Sequence, residues 1–204
     1  MNRGQLRSAL TSRLGLPITG DALLDTSELN NALDAALRDM CNEYDWPWLV
    51  AEASLTFTTG VAPKPSGCVK VKELVVNDRR AKFAPLAAYL DIAARGAQCV
   101  WTETGTNVKI TPVPTTAPDA TLYYVQAEPA LASDTTEPLL PATYHQTLLA
   151  RAAYHANVRR NRMEDAARDD NEFQLSVRKM KDAGWARTGP RYVRSSGTSL
   201  WANW

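Results

Sequence analysis

Residues 44–60 read YDWPWLVAEASLTFTTG, and the hydrophobic period changes inside them. Upstream, Leu29, Leu33, Ala36, Leu37, Met40 and Tyr44 form one apolar stripe at helical spacing. Downstream, Ala53, Leu55 and Phe57 alternate with Glu52, Ser54, Thr56 and Thr58, which predicts a half-buried strand from Ala51 to Thr59 that Gly60 ends. Pro47 makes the break, since it cannot continue the helical ladder and disfavours helical geometry at Trp46, so the helix should stop near Asp45.

Toward the N-terminus, Leu6, Leu10 and Leu14 repeat every four residues and Gly15 is placed to stop that helix. A loop follows through Pro17 and Gly20, and Thr26-Ser27 offers hydroxyl caps for the second helix, with Glu28 in its first turn. Toward the C-terminus, Cys68 to Val76 predicts a second strand leaving through a turn at Asn77-Asp78. Pro85 to Arg95 predicts a short helix with Leu86, Tyr89, Leu90 and Ala93 on one side, stopped by Gly96. Residues 98–102 and 108–111 flank Gly105 as a hairpin, and residues 121–125 make a last strand. Four or five short strands of this kind read as a small sheet or barrel with one helix attached.

The helical period returns after Pro141, which suits a first helical turn, with Tyr144, Leu148, Leu149, Ala152, Ala153 and Ala156 as a stripe rich in small residues. A last helix spans about Met163 to Lys181, with Ala166, Ala167, Phe173, Val177 and Met180 inward, Glu164, Arg168 and Glu172 on the surface, and Gly184 closing it. The predicted fold class is therefore α+β. Residues 1–49 and 130–184 form a helical bundle, residues 50–129 an inserted β-rich domain, and residues 185–204 an extended tail.

Composition narrows the function classes. The chain has 204 residues, is 45% hydrophobic and carries a net charge of +1, enough apolar content for a real core and no global attraction to nucleic acid. The charge is uneven: −3 over residues 1–50, −1 over 51–147 and +5 over 148–204. That polarity suits head-to-tail association between copies, or a basic surface turned toward DNA or an acidic partner. Cys41, Cys68 and Cys99 lie far apart without a CxxC pair, which points to neither a disulfide framework nor a cysteine zinc site. No apolar run approaches the roughly 20 residues of a membrane span, and the first residues lack the apolar core of a signal peptide. A protein made in the cytoplasm, with no membrane partner, is expected.

Reactive chemistry is scarce. His145 and His155 lie ten residues apart on one predicted helix, about 80° from each other around it, and read as ordinary helix residues. Asp165, Asp169 and Glu172 share a face that could hold a divalent metal, but Arg162 and Arg168 among them favour a solvated, salt-bridged face. No phosphate-binding loop or nucleophile elbow is present. The expectation is no enzyme and no cofactor or metal.

Two clusters remain as candidate sites. Arg159, Arg160 and Arg162 form the densest basic run, which offsets a helix C-terminal dipole and could also face DNA phosphates or an acidic subunit. The tail holds Trp185, Arg191, Tyr192, Arg194, Trp201 and Trp204, residue types that anchor interfaces, with no evident helix or strand to bury them, so the tail either folds back on its own domain or, the reading favoured here, docks on a partner.

The order of these features resembles a known family. Residues 6–15, LRSALTSRLG, the helix with Leu29-Asn30-Asn31-Ala32-Leu33, Trp46-Pro47-Trp48-Leu49 leading into the first strand, Ile110-Thr111-Pro112-Val113-Pro114, Leu122-Tyr123-Tyr124, and Leu140-Pro141 through His145 are similar to head-to-tail connector (adaptor) proteins of tailed bacteriophages. The resemblance implies a homo-oligomeric ring of about twelve copies. It implies a position in the virion at the head-tail junction after assembly in the host cytoplasm. The implied partners are the portal protein, the tail or next connector protein, and double-stranded DNA passing through the channel without sequence specificity. Family members commonly send their C-terminal tail into the portal, the place that residues 185–204 occupy here. The alternative from another class is a cytoplasmic DNA-binding or scaffolding protein that uses its basic C-terminal third.

Overall fold

The computed structural model describes residues 1–16, 24–95, 99–113 and 119–188. Among these residues it is a mixed α+β fold with five α-helices and a curled seven-stranded sheet. The chain divides into two compact units: residues 1–5 with 37–142, and residues 6–36 with those from 143 onward.

The first unit holds β1 (Val50–Ser54), β2 (Val61–Pro63), β3 (Cys68–Val76), β4 (Arg79–Phe83), β5 (Val100–Thr104), β6 (Asn107–Thr111) and β7 (Ala120–Gln126) in the order β1-β7-β3-β4-β5-β6-β2. Every pairing is antiparallel except β4 with β5. Those two are joined by the helix α3 (Leu86–Arg95), because parallel neighbours need a crossover and cannot be linked by a hairpin. The alternation read from residues 51–57 carries inward Leu55 and Phe57, which join a core with Leu74, Trp101, Ile110 and Leu122. Regular pairing of β1 nevertheless stops at Ser54, short of the expected Thr59. The cause is a tight turn in which Thr59 and Gly60 both take positive φ (51° and 78°) and send the chain into β2. A side chain on Gly60 would come within 2.9 Å of Val113 Cγ2 and 3.0 Å of the Ile110 carbonyl.

The predicted turn at Asn77-Asp78 is present, with positive φ at both residues (48° and 61°), the geometry that a two-residue hairpin needs. It leads into β4, a strand the hydrophobic pattern does not reveal, since Arg79, Arg80 and Lys82 surround one inward residue, Ala81. Of the stripe expected on the short α3, only Tyr89 faces inward. Tyr89 is buried and donates its hydroxyl to the Ile110 carbonyl at 3.0 Å, with Ile92 beside it, whereas Leu86, Leu90 and Ala93 are exposed. The stop assigned to Gly96 lies outside the described residues, as does the loop through Pro17 and Gly20.

The second unit contains most of α1 (Arg3–Arg13), the first part of α2 (Thr26–Asn42), α4 (His145–Arg159) and α5 (Met163–Thr188). Gly15 stops α1 as expected: at φ 61° it donates to Ser12, and the following Leu16 N–H returns to Thr11. The cap of α2 is Asp25 and not Thr26 or Ser27; its Oδ1 accepts the Glu28 N–H at 2.8 Å. A 3-10 turn over Ala142–Tyr144 precedes α4, so the α-helix begins later than Pro141 suggests. Leu148, Leu149, Ala152, Ala153 and Ala156 are buried, and these small side chains let α5 pack closely. On α5, Ala166, Phe173, Val177 and Met180 face inward as predicted, but Ala167 is exposed. The helix also runs through Gly184 to Thr188, because a lone glycine weakens a helix without having to end it. Trp185 thus lies within α5.

Candidate interaction surfaces

The basic run occupies the turn between α4 and α5. Asn161 sits in the left-handed region at φ 58°, its N–H bonds the Val158 carbonyl at 3.0 Å, and the Arg162 N–H bonds the Asn157 carbonyl at 2.9 Å. This is the same helix stop as at Gly15, with asparagine in the glycine position. Arg162 then starts α5, accepting the Ala166 N–H at 3.0 Å. The three arginines therefore leave one turn in different directions. Arg159 is exposed and reaches Glu28 on α2 at 3.1 Å, Arg160 is half-buried at the helix cap, and Arg162 is exposed beside Glu164 and Asp165. Of the tail residues, Trp185 lies in the last turn of α5, while Arg191, Tyr192, Arg194, Trp201 and Trp204 lie outside the described residues.

The acidic face of α5 is salt-bridged, yet its central member is not solvated. The Asp169 side chain is only 3% exposed: Oδ2 accepts the Asn157 amide at 2.8 Å and Oδ1 accepts Arg13 Nη2 at 2.9 Å. Arg13 also forks onto Glu172 at 2.6 and 3.2 Å, and that pairing holds the Glu172 carboxyl below its usual range and the guanidinium above its own. A carboxylate with both oxygens occupied by protein donors ties α1, α4 and α5 together and leaves little for a metal. No group of three or more metal-ligating side chains is found among the described residues. His145 is buried at the start of α4 and His155 is half-buried further along it, so they do not converge.

The thiols are equally unreactive in placement. Burial, and then the charge of Glu128, pushes Cys41 up to about 12, and burial also raises Cys68 and Cys99, so none is poised as a thiolate.

In the first unit the aromatic run between α2 and β1 is built as a plug. Trp46 is buried and its indole N–H donates 2.6 Å to the Met40 carbonyl, satisfying one of the free acceptors at the α2 C-terminus. Trp48 stacks on Trp46 at 4.7 Å with 13° between planes, and Tyr44 meets Trp46 edge-on at 5.1 Å. Asp45 receives Lys70 at 2.7 Å and Lys72 from β3, and these ammonium groups hold its carboxyl below the ordinary range. A second device has no local sequence signal. The loop after β7 is closed by Glu128, whose Oε1 accepts the Leu139 N–H at 2.7 Å. The carbonyls of Leu131, Asp134 and Thr136 in that loop accept the Arg3 guanidinium, the Gly4 N–H and the Arg3 N–H, occupying donors at the α1 N-terminus.

These are scaffolding contacts: caps, plugs and ion pairs that fix elements without presenting a reacting group. The SU10 adaptor protein family model matches residues 1–196. The chain belongs to the SU10 adaptor protein family. It is thus a phage head-to-tail adaptor, a virion structural protein that interacts with other head and tail proteins, and its family is not an enzyme family. No curated protein matches the chain. No helix among the described residues of this adaptor is long and apolar enough to cross a membrane.

Proposed function

We propose that this adaptor works as one copy in a ring of about twelve that bridges portal and tail and contributes to the DNA channel. In this reading residues 50–129 are a β-rich insertion in a helical framework of residues 1–49 and 130–184, and the residues after α5 anchor the subunit to the portal or to a neighbouring copy. The family match over residues 1–196 carries the proposal. The basic α4–α5 turn supports the channel role, since exposed arginines there suit a phosphate backbone contacted without base readout.

Incorporation into connector complexes tests it. Purified chain mixed with its portal should give ring-shaped particles by electron microscopy, and a chain cut after Thr188 should stay folded by circular dichroism yet fail to join them. Within the removed segment Trp201→Ala and Trp204→Ala should weaken incorporation far more than Ser195→Ala, because buried aromatic anchors reach 2 kcal/mol or more while rim serines are near neutral. Normal incorporation of the truncated chain would overturn the anchoring role. Tight, salt-sensitive DNA binding by the free protein, without ring formation, would favour the DNA-binding alternative.

A further inference from the structure

We infer that the outer edge of β1 is a seat for the chain beyond α5, with residues 191–194 of a neighbouring copy adding there as a further strand. The inference rests on the anchoring reading above and names its acceptor. β1 ends the strand order and, among the described residues, pairs with β7 alone. The Leu55 N–H donates to the Ala120 carbonyl at 2.8 Å, so by alternation Ala53 and Ala51 also turn their backbone groups toward β7. Glu52 and Ser54 turn theirs outward. The Val50 N–H is taken by the Pro47 carbonyl. The Val50 carbonyl and both backbone groups of Glu52 and Ser54 therefore line the edge without a partner among the described residues. Such a row is a template for another strand.

The alternatives to the tail as occupant meet obstacles. At the opposite edge of the sheet, Val61 on β2 exchanges both backbone bonds with Thr58, at 3.0 and 2.9 Å, and Pro63 has no N–H to offer. Joining β1 to the β2 edge of another copy is thus blocked. A second β1 fits badly too: the antiparallel pairing that overlaps the two strands fully sets Glu52 opposite Glu52, and like charges directly opposite are destabilising. The chain after Thr188, where α5 ends, offers a better strand. Fully extended, residues 189–204 reach about 50 Å, enough to leave one subunit for the next. Within them Arg191-Tyr192-Val193-Arg194 combines aromatic and β-branched residues between Pro190 and the Ser195-Ser196-Gly197 break, and all four carry a backbone N–H. Arg191 and Arg194 are three apart and fall on opposite faces of a strand. Either register then sets one of them on the face of the exposed Glu52, the reverse of the clash with a second β1. Trp201 and Trp204 lie past this run and stay available for anchoring.

Blocking the two sides separately tests the contact on the full chain. Glu52→Pro removes an N–H that β7 does not use, and Val193→Pro spoils the added strand. Each should weaken self-association, alone or on the portal, at least about tenfold in sedimentation across a concentration series. Mixing the two variants should restore a single contact and give a heterodimer that does not grow, because the intact edge of one meets the intact tail of the other. The Glu52 and Ser54 amides of the wild-type chain should exchange slowly with solvent in the assembly and fast on dilution. Should circular dichroism show Glu52→Pro unfolded, Val193→Pro and the amide exchange carry the test. Slow exchange of those amides at every concentration would mean that the tail folds back on its own β1, and would overturn the contact between copies. Proline variants that assemble like wild type, or a Val193→Pro chain that fails only to join the portal, would overturn it as well and leave the ring reading standing. A wild-type chain that stays monomeric at every concentration, alone and with its portal, would overturn both.

Discussion

The two compact units are held by different chemistry. The β-rich unit relies on large apolar side chains in alternation, with Leu74, Trp101, Ile110 and Leu122 in its core and indole and phenol N–H or O–H groups paired to carbonyls. The helical unit buries alanines along α4, and pins its helices with a charged network, Asn157–Asp169–Arg13–Glu172. Apolar cores lose stability in proportion to the volume removed, whereas a buried charge network loses it through the groups left stranded. Substitutions in the two units should therefore fail in different ways.

The largest effect is expected at the aromatic plug. Trp46→Ala removes a fully buried ring, a stacking partner for Trp48 and the cap on Met40, and should lower stability by about 3–5 kcal/mol. Trp48→Ala should cost less, since Trp48 is only half-buried. Thermal or urea unfolding of both variants checks the order, and an unchanged midpoint for Trp46→Ala would show the ring is not part of the core.

The charged network sharpens the contrast. Asp169→Ala deletes only a small side chain, but leaves the Asn157 amide and one edge of Arg13 without their acceptor, so a loss of about 2–4 kcal/mol is expected. The double variant Asp169→Ala with Asn157→Ala should lose clearly less than the sum of the singles, the signature of a shared network in urea unfolding.

Legibility in the sequence divides along the same line. The period switch at residues 44–60, the Gly15 stop and the Asn77-Asp78 turn could be read because glycine, proline and alternation act locally. Strand β4 could not, because its neighbours in the sheet and not its own three cations hold it in place. Asp169 looks like any member of an acidic surface run, and Asn157 on α4 together with Arg13 on α1, 156 residues away, makes it a buried hub. The partial burial of the α3 stripe is equally non-local: the Tyr89 hydroxyl finds the Ile110 carbonyl, and Leu86 and Leu90 stay at the surface.

Asn161 tests a stop that is local and yet was hidden inside a basic run. At φ 58° its backbone suits glycine at least as well as asparagine. Asn161→Gly should leave stability within a few tenths of a kcal/mol, and Asn161→Ala should lower it by about 1 kcal/mol, an effect that thermal unfolding resolves. Equal stability of the two variants would mean that the turn tolerates a Cβ and that the helix stop rests on the flanking bonds alone.

The smallest effect belongs to Glu128, and it shows as a slope with pH more than as a loss. Burial raises its carboxyl above the ordinary value, and the Leu139 N–H, which favours the charged form, offsets this only in part. A raised carboxyl in the folded state binds its proton more tightly than in the unfolded chain. Its contribution is therefore fully present below the unfolded value and is lost as pH rises through the folded one. Wild-type stability should accordingly gain from Glu128 as pH falls from neutral toward the carboxylate range, opposite in sign to Asp45, whose depressed carboxyl stabilises at higher pH. Glu128→Gln keeps an oxygen for Leu139 and removes the charge, so it should be more stable than wild type at neutral pH and indistinguishable from it once Glu128 is protonated. Urea unfolding of both proteins at a series of pH values measures the difference. A gap that stays constant across the series would show that the carboxyl does not titrate differently in the folded chain, and that the loop closed by residues 128 and 139 is held by the Leu139 bond without regard to charge.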